Sequence, residues 1–206
     1  MTCNNLFKLC ILIIKNYHFI VWKRLCKDQR AGCEIFKVMK AHNMLDKRMF
    51  DQQELRTAFG FLPTGVTVVT LRDENNVPTG VTIGSFTSLS MSPALCLFTL
   101  GKKQASARLC KVGTSFVVNV LSNAQADIAW QFAKPLKDKC AGVDLCDTIV
   151  DVPRLQDCVA YFACIVETIY DGGDHIIIIG KILDFANDEG ESLVFYRGHM
   201  HKPLLI

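Results

Sequence analysis

The sequence predicts a mainly β protein, an antiparallel barrel with a few short helices. Runs rich in β-branched residues recur along the chain, the first over residues 66–71, and such runs are typical of strands. Turn sequences separate neighbouring runs, as residues 73–76 do. Successive strands lack regular crossover helices, which favours an antiparallel barrel over a parallel sheet.

Residues 51–100 predict one helix and three strands. Asp51 and Glu54 have the spacing of a capping box, and apolar residues follow at helical intervals, so a helix is expected over residues 52–60. Pro63 ends this helix. Gly80 and Gly84 are expected at bends or close approaches. The predicted strands are residues 66–71, residues 80–93 and residues 95–100.

Residues 104–196 predict two more helices and four more strands. Residues 134–157 form a long irregular connection, of a kind that is uncommon unless it is functional. Asn119 is expected to lie buried and to tie strands together. The predicted elements are a helix over 104–111, a strand over 115–121, a helix capped by Ser122 or Asn123 that runs to 133, and strands over 159–169, 176–179 and 192–196. The strand 176–179 is apolar on both faces and is expected to be deeply buried.

The stretch from Gly80 to Pro93 is unusual because it places six hydroxyl side chains between two apolar runs. A polar ligand that lies along the strand would account for them. The alternative is ordinary turn chemistry, which fits Ser90 and Ser92 beside Pro93 better. The six hydroxyl residues are Thr82, Ser85, Thr87, Ser88, Ser90 and Ser92.

Composition and charge exclude several function classes. Residues 1–48 hold ten Lys or Arg against three Asp or Glu, whereas residues 49–206 hold thirteen against seventeen. The second region is therefore mildly acidic, which argues against nucleic-acid binding. Motifs of serine hydrolases, P-loop proteins, dinucleotide-binding folds and zinc proteases are absent from the sequence. No metal site is predicted.

The N-terminal region is expected to lie outside the working domain. Residues 6–22 are apolar but contain Lys8 and Lys15, so neither a transmembrane span nor a secretory signal is predicted. We expect residues 1–47 to be an extension and residues 48–206 to form the domain. The ten cysteines show no CxxC pair or zinc spacing, which indicates reduced thiols and a cytoplasmic location.

Five segments, in order, resemble the flavin reductase family. They are FGFLPTGVTVVT (59–70), GVTIGSFTSLSMSPAL (80–95), SFVVNVL (115–121), GGDHIIIIGKI (172–182) and YRG (196–198). The resemblance implies a split β-barrel that binds FMN or FAD noncovalently, as a homodimer. It also implies hydride transfer from NADH or NADPH to the flavin, and delivery of reduced flavin to a separate monooxygenase.

The resemblance also implies site residues. His175, in the Gly-Asp-His motif, would position the nicotinamide and would not act as an acid or base. Lys102 and Ser106, near the start of the predicted helix 104–111, would bind the flavin phosphate, because a helix N-terminus beside a cation favours an anion. The residues expected along the flavin are Pro63, Thr64, Gly65, Val66, Thr82, Ser85, Phe86, Thr87 and Ser88.

Two departures from the family pattern keep other functions open. Ile83-Gly84 stands where the family often has Ala-Asn, and Met200 stands where it often has an aromatic residue. One alternative is an electron carrier or ferric reductase that keeps FMN tightly bound. The other is a barrel that binds a ligand without catalysis.

Overall fold

The computed structural model describes residues 50–202. The chain divides into two compact units, residues 1–54 and residues 55–206. The predicted domain boundary at residue 47 lies outside the described residues and stays a prediction. Within residues 50–202, no helix is both long enough and apolar enough to cross a membrane.

The described chain is mainly β with three short helices, as predicted. Helices α1 to α3 are Gln52–Phe59, Ala105–Leu109 and Ala126–Ala133. The strands β1 to β12 are Thr64–Gly65, Thr67–Arg72, Pro78–Ile83, Thr87–Met91, Ala94–Gly101, Ser115–Val120, Leu145–Cys146, Arg154–Leu155, Ala160–Gly172, His175–Asn187, Val194–Tyr196 and His199–His201. Asp51 caps α1 as expected, because its Oδ1 accepts the backbone N–H groups of Gln53 at 2.8 Å and Glu54 at 2.9 Å.

Seven strands form one antiparallel sheet in the order β3-β2-β6-β9-β10-β5-β4. Its two edge strands, β3 and β4, are consecutive in the chain and are joined by residues 84–86 alone. Val81 near one edge and Phe98 near the other pack in the same buried cluster. The sheet is therefore curled around a core, and its edges come together at residues 84–86.

Strand β2 lies between two apolar clusters, which explains why all its apolar residues are buried. Val69 and Leu71 belong to the cluster inside the curled sheet. Val68 points the other way, into a second cluster that includes Phe132 of α3. Successive side chains of a strand face opposite sides, so one strand can serve both clusters.

Asn119 ties strands together, which confirms its predicted role. Its side chain is fully buried. Its Nδ2 donates to the carbonyl oxygen of Val68 at 3.0 Å, and its Oδ1 accepts the N–H of Leu155 at 2.8 Å. A buried amide is costly unless its hydrogen bonds are made, so these bonds hold β2, β6 and β8 in one arrangement.

Two predicted strand assignments are wrong in detail. The stretch 80–93 forms two strands, because the chain must leave one edge of the sheet at Ile83 and enter the other at Thr87. In β10, Ile178 is fully buried, but Ile177 and Ile179 are only half-buried. One face of β10 covers the core and the other faces outward, so the predicted deep burial of both faces does not hold.

The predicted cap of α3 is also wrong. The helix begins after Gln125, which makes no side-chain cap. Asn123 does not cap the helix, because its side chain is bonded to another residue: its Nδ2 donates to the carboxylate of Glu191 at 2.5 Å. The backbone N–H of Ser122 donates to the Gln125 side chain at 3.0 Å. Residues 134–157 are largely irregular, as expected, and contain only the two-residue strands β7 and β8.

Gly180 allows the closest packing in the core, and its replacement should destabilise the fold. A Cβ atom at this position would lie 2.3 Å from Cζ of Phe116 and 3.2 Å from Sγ of Cys96. We expect Gly180→Ala to lower the free energy of unfolding by about 1–3 kcal/mol, since an overpacked core must shift side chains or backbone. Urea unfolding measures the change. Gly65→Ala is the control, because no atom lies within 4 Å of a Cβ added there; equal stability of the two variants would contradict the prediction.

Candidate functional site

The short strand β1 lies against the junction between the two sheet edges. A Cβ atom added at Gly84 would lie 2.7 Å from Oγ1 of Thr64, so the absence of a side chain at 84 allows this approach. Pro63 and Gly65 are exposed and Thr64 is half-buried. Three residues expected at the ligand are therefore brought to the junction, where the backbone of 63–65 remains accessible.

Val66 fixes the position of β1 rather than offering its side chain. The side chain is 2% exposed and packs in the second cluster. The backbone N–H of Val66 donates to the carbonyl oxygen of Leu193, and its carbonyl oxygen accepts the N–H of Leu121, both at 3.1 Å. Val66 therefore offers no side-chain contact to a ligand, and a contact at this point would have to come from the backbone of the neighbouring residues.

Two of the predicted hydroxyl groups are engaged by the protein itself. Thr82 Oγ1 donates to the carbonyl oxygen of Ala129 in α3 at 2.6 Å. Ser85 Oγ accepts the N–H of Thr99 at 3.0 Å and donates to its carbonyl oxygen at 3.3 Å. Because a hydroxyl has one proton and two lone pairs, Ser85 keeps one lone pair and no proton for a ligand.

The hydroxyl groups of β4 face solvent at the open edge of the sheet. Thr87 and Ser88 are both exposed, and Thr87 Oγ1 makes one long hydrogen bond of 3.4 Å, to the Ser88 carbonyl oxygen. They are the predicted hydroxyls best placed to meet a ligand at the junction. The ring of Phe86, by contrast, lies 5.4 Å from that of Phe162 and packs against the core, so its side chain points away from the edge.

His175 lies beside the turn that follows β5. It is paired with Gly101 of β5 and Gly172 of β9, and its side chain is 49% exposed. Its Nδ1 lies 2.7 Å from Oδ1 of Asp174. This hydrogen bond, and the charge of the imidazole when protonated, lower the pKa of Asp174 below its ordinary value.

Lys102 belongs to this His175 group and not to the surroundings of Ser106. Its ammonium group forms an ion pair with Asp171, and its backbone N–H donates to the carbonyl oxygen of Asp174 at 2.9 Å. The side chain of the adjacent Lys103 instead lines a cavity together with Ser106. Lys103 therefore shares this cavity with Ser106, and the predicted phosphate role of Lys102 stays a prediction.

The cavity beside Ser106 has a volume of about 800 Å³. Ser106 is 7% exposed, and α2 is only five residues long, so charge in the cavity comes from side chains rather than from a helix end. Two acidic side chains, Asp73 and Glu74, line one end. The five basic residues that line it are Lys103, Arg108, Lys134, Lys137 and Lys139.

Lys139 is the most constrained of these cations. Its Nζ donates to the carbonyl oxygen of Phe132 at 2.8 Å, and partial burial lowers its pKa below the ordinary value. The bond fixes the segment after α3 against the end of that helix. The sequence analysis did not predict this basic side of the cavity. Three lysines within residues 134–139 of a long connection were a visible signal for it.

The predicted site residues therefore form two groups joined by one strand. The junction group contains residues 63–65 and 84–88, and the cavity group is centred on Ser106. Ser85 bonds to Thr99, two residues before Gly101, where the turn leading to Ser106 begins. Strand β5, which pairs with β4 and leads to that turn, therefore connects the two groups. The binding roles of the individual residues stay predictions.

The described cysteines are all free thiols. They are Cys96, Cys110, Cys140, Cys146, Cys158 and Cys164. Burial raises the pKa of the Cys110 thiol to about 12, and burial also raises the pKa of Cys158. Thiols with raised pKa values are poor nucleophiles. Among residues 50–202, no group of three or more His, Cys, Asp or Glu side chains is placed to hold a metal ion.

Comparison with known proteins identifies relatives over almost all of the described range. The family model described as "Flavin reductase like domain" matches residues 59–203. A probable flavin reductase of Rhizobium meliloti is 40% identical over 157 residues, which cover 76% of this chain and 50% of that protein. This chain thus spans half the length of that relative.

Two further relatives are reductases with more specific names. The reductase subunit of stachydrine N-demethylase from Rhizobium meliloti is 35% identical over 155 residues, covering 75% of this chain and 67% of that protein. The solved NADH:FAD oxidoreductase of Streptomyces globisporus, in complex with NAD and FAD fragments, is 35% identical with a TM-score of 0.69. That match covers 73% of this chain and 92% of the solved chain.

The hydrogen bonds of Ser85 give a test of its structural role. We expect Ser85→Ala to lower the free energy of unfolding by about 1 kcal/mol, because the Thr99 N–H and carbonyl oxygen lose a partner in a half-buried position. Ser88→Ala, in an exposed position of the same edge, should leave stability almost unchanged. Thermal unfolding of both variants measures this. Equal stability of the two would show that the Ser85–Thr99 bonds contribute nothing.

Proposed function

The chain belongs to the flavin reductase-like family, and from that membership we propose that it catalyses hydride transfer from NADH or NADPH to FMN or FAD. The reduced flavin then leaves for a separate monooxygenase. The relatives support this, because one is the reductase subunit of a demethylase and another is an NADH:FAD oxidoreductase. In both cases the reductase function belongs to a chain similar to this one.

The proposal rests on two accessible polar groups, the sheet junction and the basic cavity, which strand β5 connects. The junction offers exposed backbone at Pro63 and Gly65 and exposed hydroxyls at Thr87 and Ser88. The cavity adds Ser106 and Lys103, which follow β5, the strand paired with β4. A flavin has a flat ring with polar edges, a polyhydroxyl chain and a phosphate, so the residues present fit it in order.

The protein's own contribution is to hold and orient two rings, since bound flavin supplies the hydride-accepting chemistry itself. His175 is exposed beside the β5 turn and is held at Nδ1 by Asp174. That bond leaves Nε2 of His175 available to a second group. We assign His175 to positioning the nicotinamide next to the junction, which raises the effective concentration of one reactant at the other.

The geometry explains how the chain tolerates a glycine at position 84, where the family often has an asparagine. An amide side chain there would need the space that the Thr64 hydroxyl occupies, since a Cβ alone comes within 2.7 Å of Oγ1. The Thr64 hydroxyl lies at the junction beside Gly84. Loss of the family's Asn therefore does not empty this position of hydrogen-bonding groups.

We also propose that the chain forms a homodimer through the outward face of β5 and β10. Leu97 and Ile179 are paired across these strands, and with Ile177 they form an apolar surface on the side away from the core. A contiguous apolar patch on a protein surface marks an interaction site. Light scattering should give twice the mass of one chain for the native protein, and Ile179→Lys should give one chain's mass. A native mass of one chain would rule the dimer out.

The decisive experiment follows NADH oxidation by the full chain, with and without added flavin. We expect oxidation to depend on added FMN or FAD and to saturate with it, because flavin then acts as a diffusible substrate. Oxidation without added flavin, by protein that retains FMN through gel filtration, would favour the electron carrier. Neither oxidation nor flavin binding would favour the non-catalytic barrel.

His175→Ala tests the nicotinamide assignment within the same assay. We expect the KM for NADH to rise roughly tenfold while kcat changes little, because a positioning contact contributes to binding in ground and transition states alike. His199→Ala is the matched control, since His199 is also exposed and lies on β12. A fall in kcat with unchanged KM would show that His175 does not act through nicotinamide binding.

A further inference from the structure

His175 stands at the exposed end of the hairpin formed by β9 and β10. It is paired with Gly172, so only Gly173 and Asp174 form the loop between the two strands. Residues 170–175 are all exposed, which means that the core does not pack against this hairpin end. The orientation of the imidazole therefore depends on polar contacts with neighbouring elements, since exposed ends with few packing contacts open locally at little cost.

Lys102 bonds this hairpin end at two points. It directly follows Gly101, the residue of β5 that is paired with His175. Its backbone N–H donates to the carbonyl oxygen of Asp174 at 2.9 Å, and its ammonium group forms an ion pair with the carboxylate of Asp171. Asp171 belongs to the end of β9 and Asp174 to the loop. One residue therefore connects both parts of the hairpin end to the turn after β5.

The turn that carries Lys102 is itself closed by hydrogen bonds. The backbone N–H of Gly101 donates to Oε1 of Gln104, and the backbone N–H of Gln104 donates to the carbonyl oxygen of Gly101, both at 2.9 Å. The Lys102 side chain is 41% exposed, so solvent screens its charge only in part. Lys102 thus extends from a fixed backbone towards the more mobile partner.

The contacts of Lys102 lead directly to the imidazole. Asp174, whose carbonyl oxygen accepts the Lys102 N–H, holds Nδ1 of His175 through its own Oδ1 at 2.7 Å. A shift of the loop would therefore move both the carboxylate that orients the ring and the backbone that carries it. Removing the ion pair with Asp171 leaves a single backbone hydrogen bond from Lys102 to hold the loop.

We propose that Lys102 is a positioning residue, which holds the hairpin end so that His175 receives the nicotinamide in one orientation. The inference rests on the proposed function, because that function assigns His175 to the nicotinamide. Lys102 acts through His175 and needs no contact with either ligand. The family resemblance predicts a different role for Lys102, binding of the flavin phosphate. The two roles differ in which KM they change.

The test follows steady-state NADH oxidation by the full chain at saturating flavin. Lys102→Met and Asp171→Asn should each raise the KM for NADH roughly threefold, a value typical of exposed ion pairs, with little change in kcat. The double variant should resemble either single variant, because both remove the same ion pair. Lys102→Arg keeps the cation and should retain the native KM. Lys111→Met, at an exposed lysine in the separate turn 111–114, is the matched control and should change neither constant.

The His175→Ala background tests whether Lys102 acts through the imidazole. Lys102→Met should raise the KM for NADH no further in that background, because no ring remains to be oriented. An additional threefold rise would show that Lys102 acts on the dinucleotide directly and would overturn the inference. A raised KM for FMN or FAD in Lys102→Met, with an unchanged KM for NADH, would assign Lys102 to the flavin phosphate instead.

Asp171→Asn separates the ion pair from simple attraction of an anionic ligand. A lower KM for NADH in this variant would mean that the released ammonium group of Lys102 attracts the dinucleotide, which contradicts the inference, and so would an unchanged KM. Both results leave the proposed function standing if native protein oxidises NADH with added flavin and His175→Ala still raises the KM. Absence of oxidation, or an unchanged KM in His175→Ala, would contradict the proposed role of His175 and the inference with it.

Discussion

The architecture depends on one constraint, which is that three residues must join the two edges of a seven-stranded sheet. Strands β3 and β4 are consecutive in the chain, yet five strands separate them in the sheet. Residues 84–86 can connect them only if the sheet curls until its edges meet. The same curl encloses Phe98 and Phe116, whose rings meet edge-on at 5.2 Å. The core and the junction are thus consequences of one short connection.

Several elements around the candidate site are anchored to β2 or its neighbours. Val66 holds β1 through backbone bonds on both sides, and Thr82 anchors β3 to α3. Asn119 then binds β2, β6 and β8 together from within the core. Sites on anchored elements keep their geometry without relying on a bound ligand. The one long irregular segment, 134–157, is fastened at Lys139 and Cys140.

Local patterns were sufficient for most elements, and failures arose where distant partners decide. The strands 66–71 and 115–121 were predicted within one or two residues, because β-branched runs are a local signal. The break at 84–86 has no local signal beyond a glycine, since it depends on which edges meet. Likewise Lys102 and Lys103 look equivalent in sequence, but only Lys102 forms an ion pair with Asp171, which lies almost seventy residues later in the chain.

The packing at Gly180 also limits which substitutions this chain can accept. Strand β10 lies between Cys96 of β5 and Cys164 of β9, and the two sulfur atoms approach within 3.8 Å across the space that Gly180 leaves. Phe116 fills the remainder. A side chain can therefore be accepted at position 180 only if the aromatic ring at position 116 becomes smaller. Substitutions at these two positions should be coupled during evolution, with the glycine the last of the pair to change.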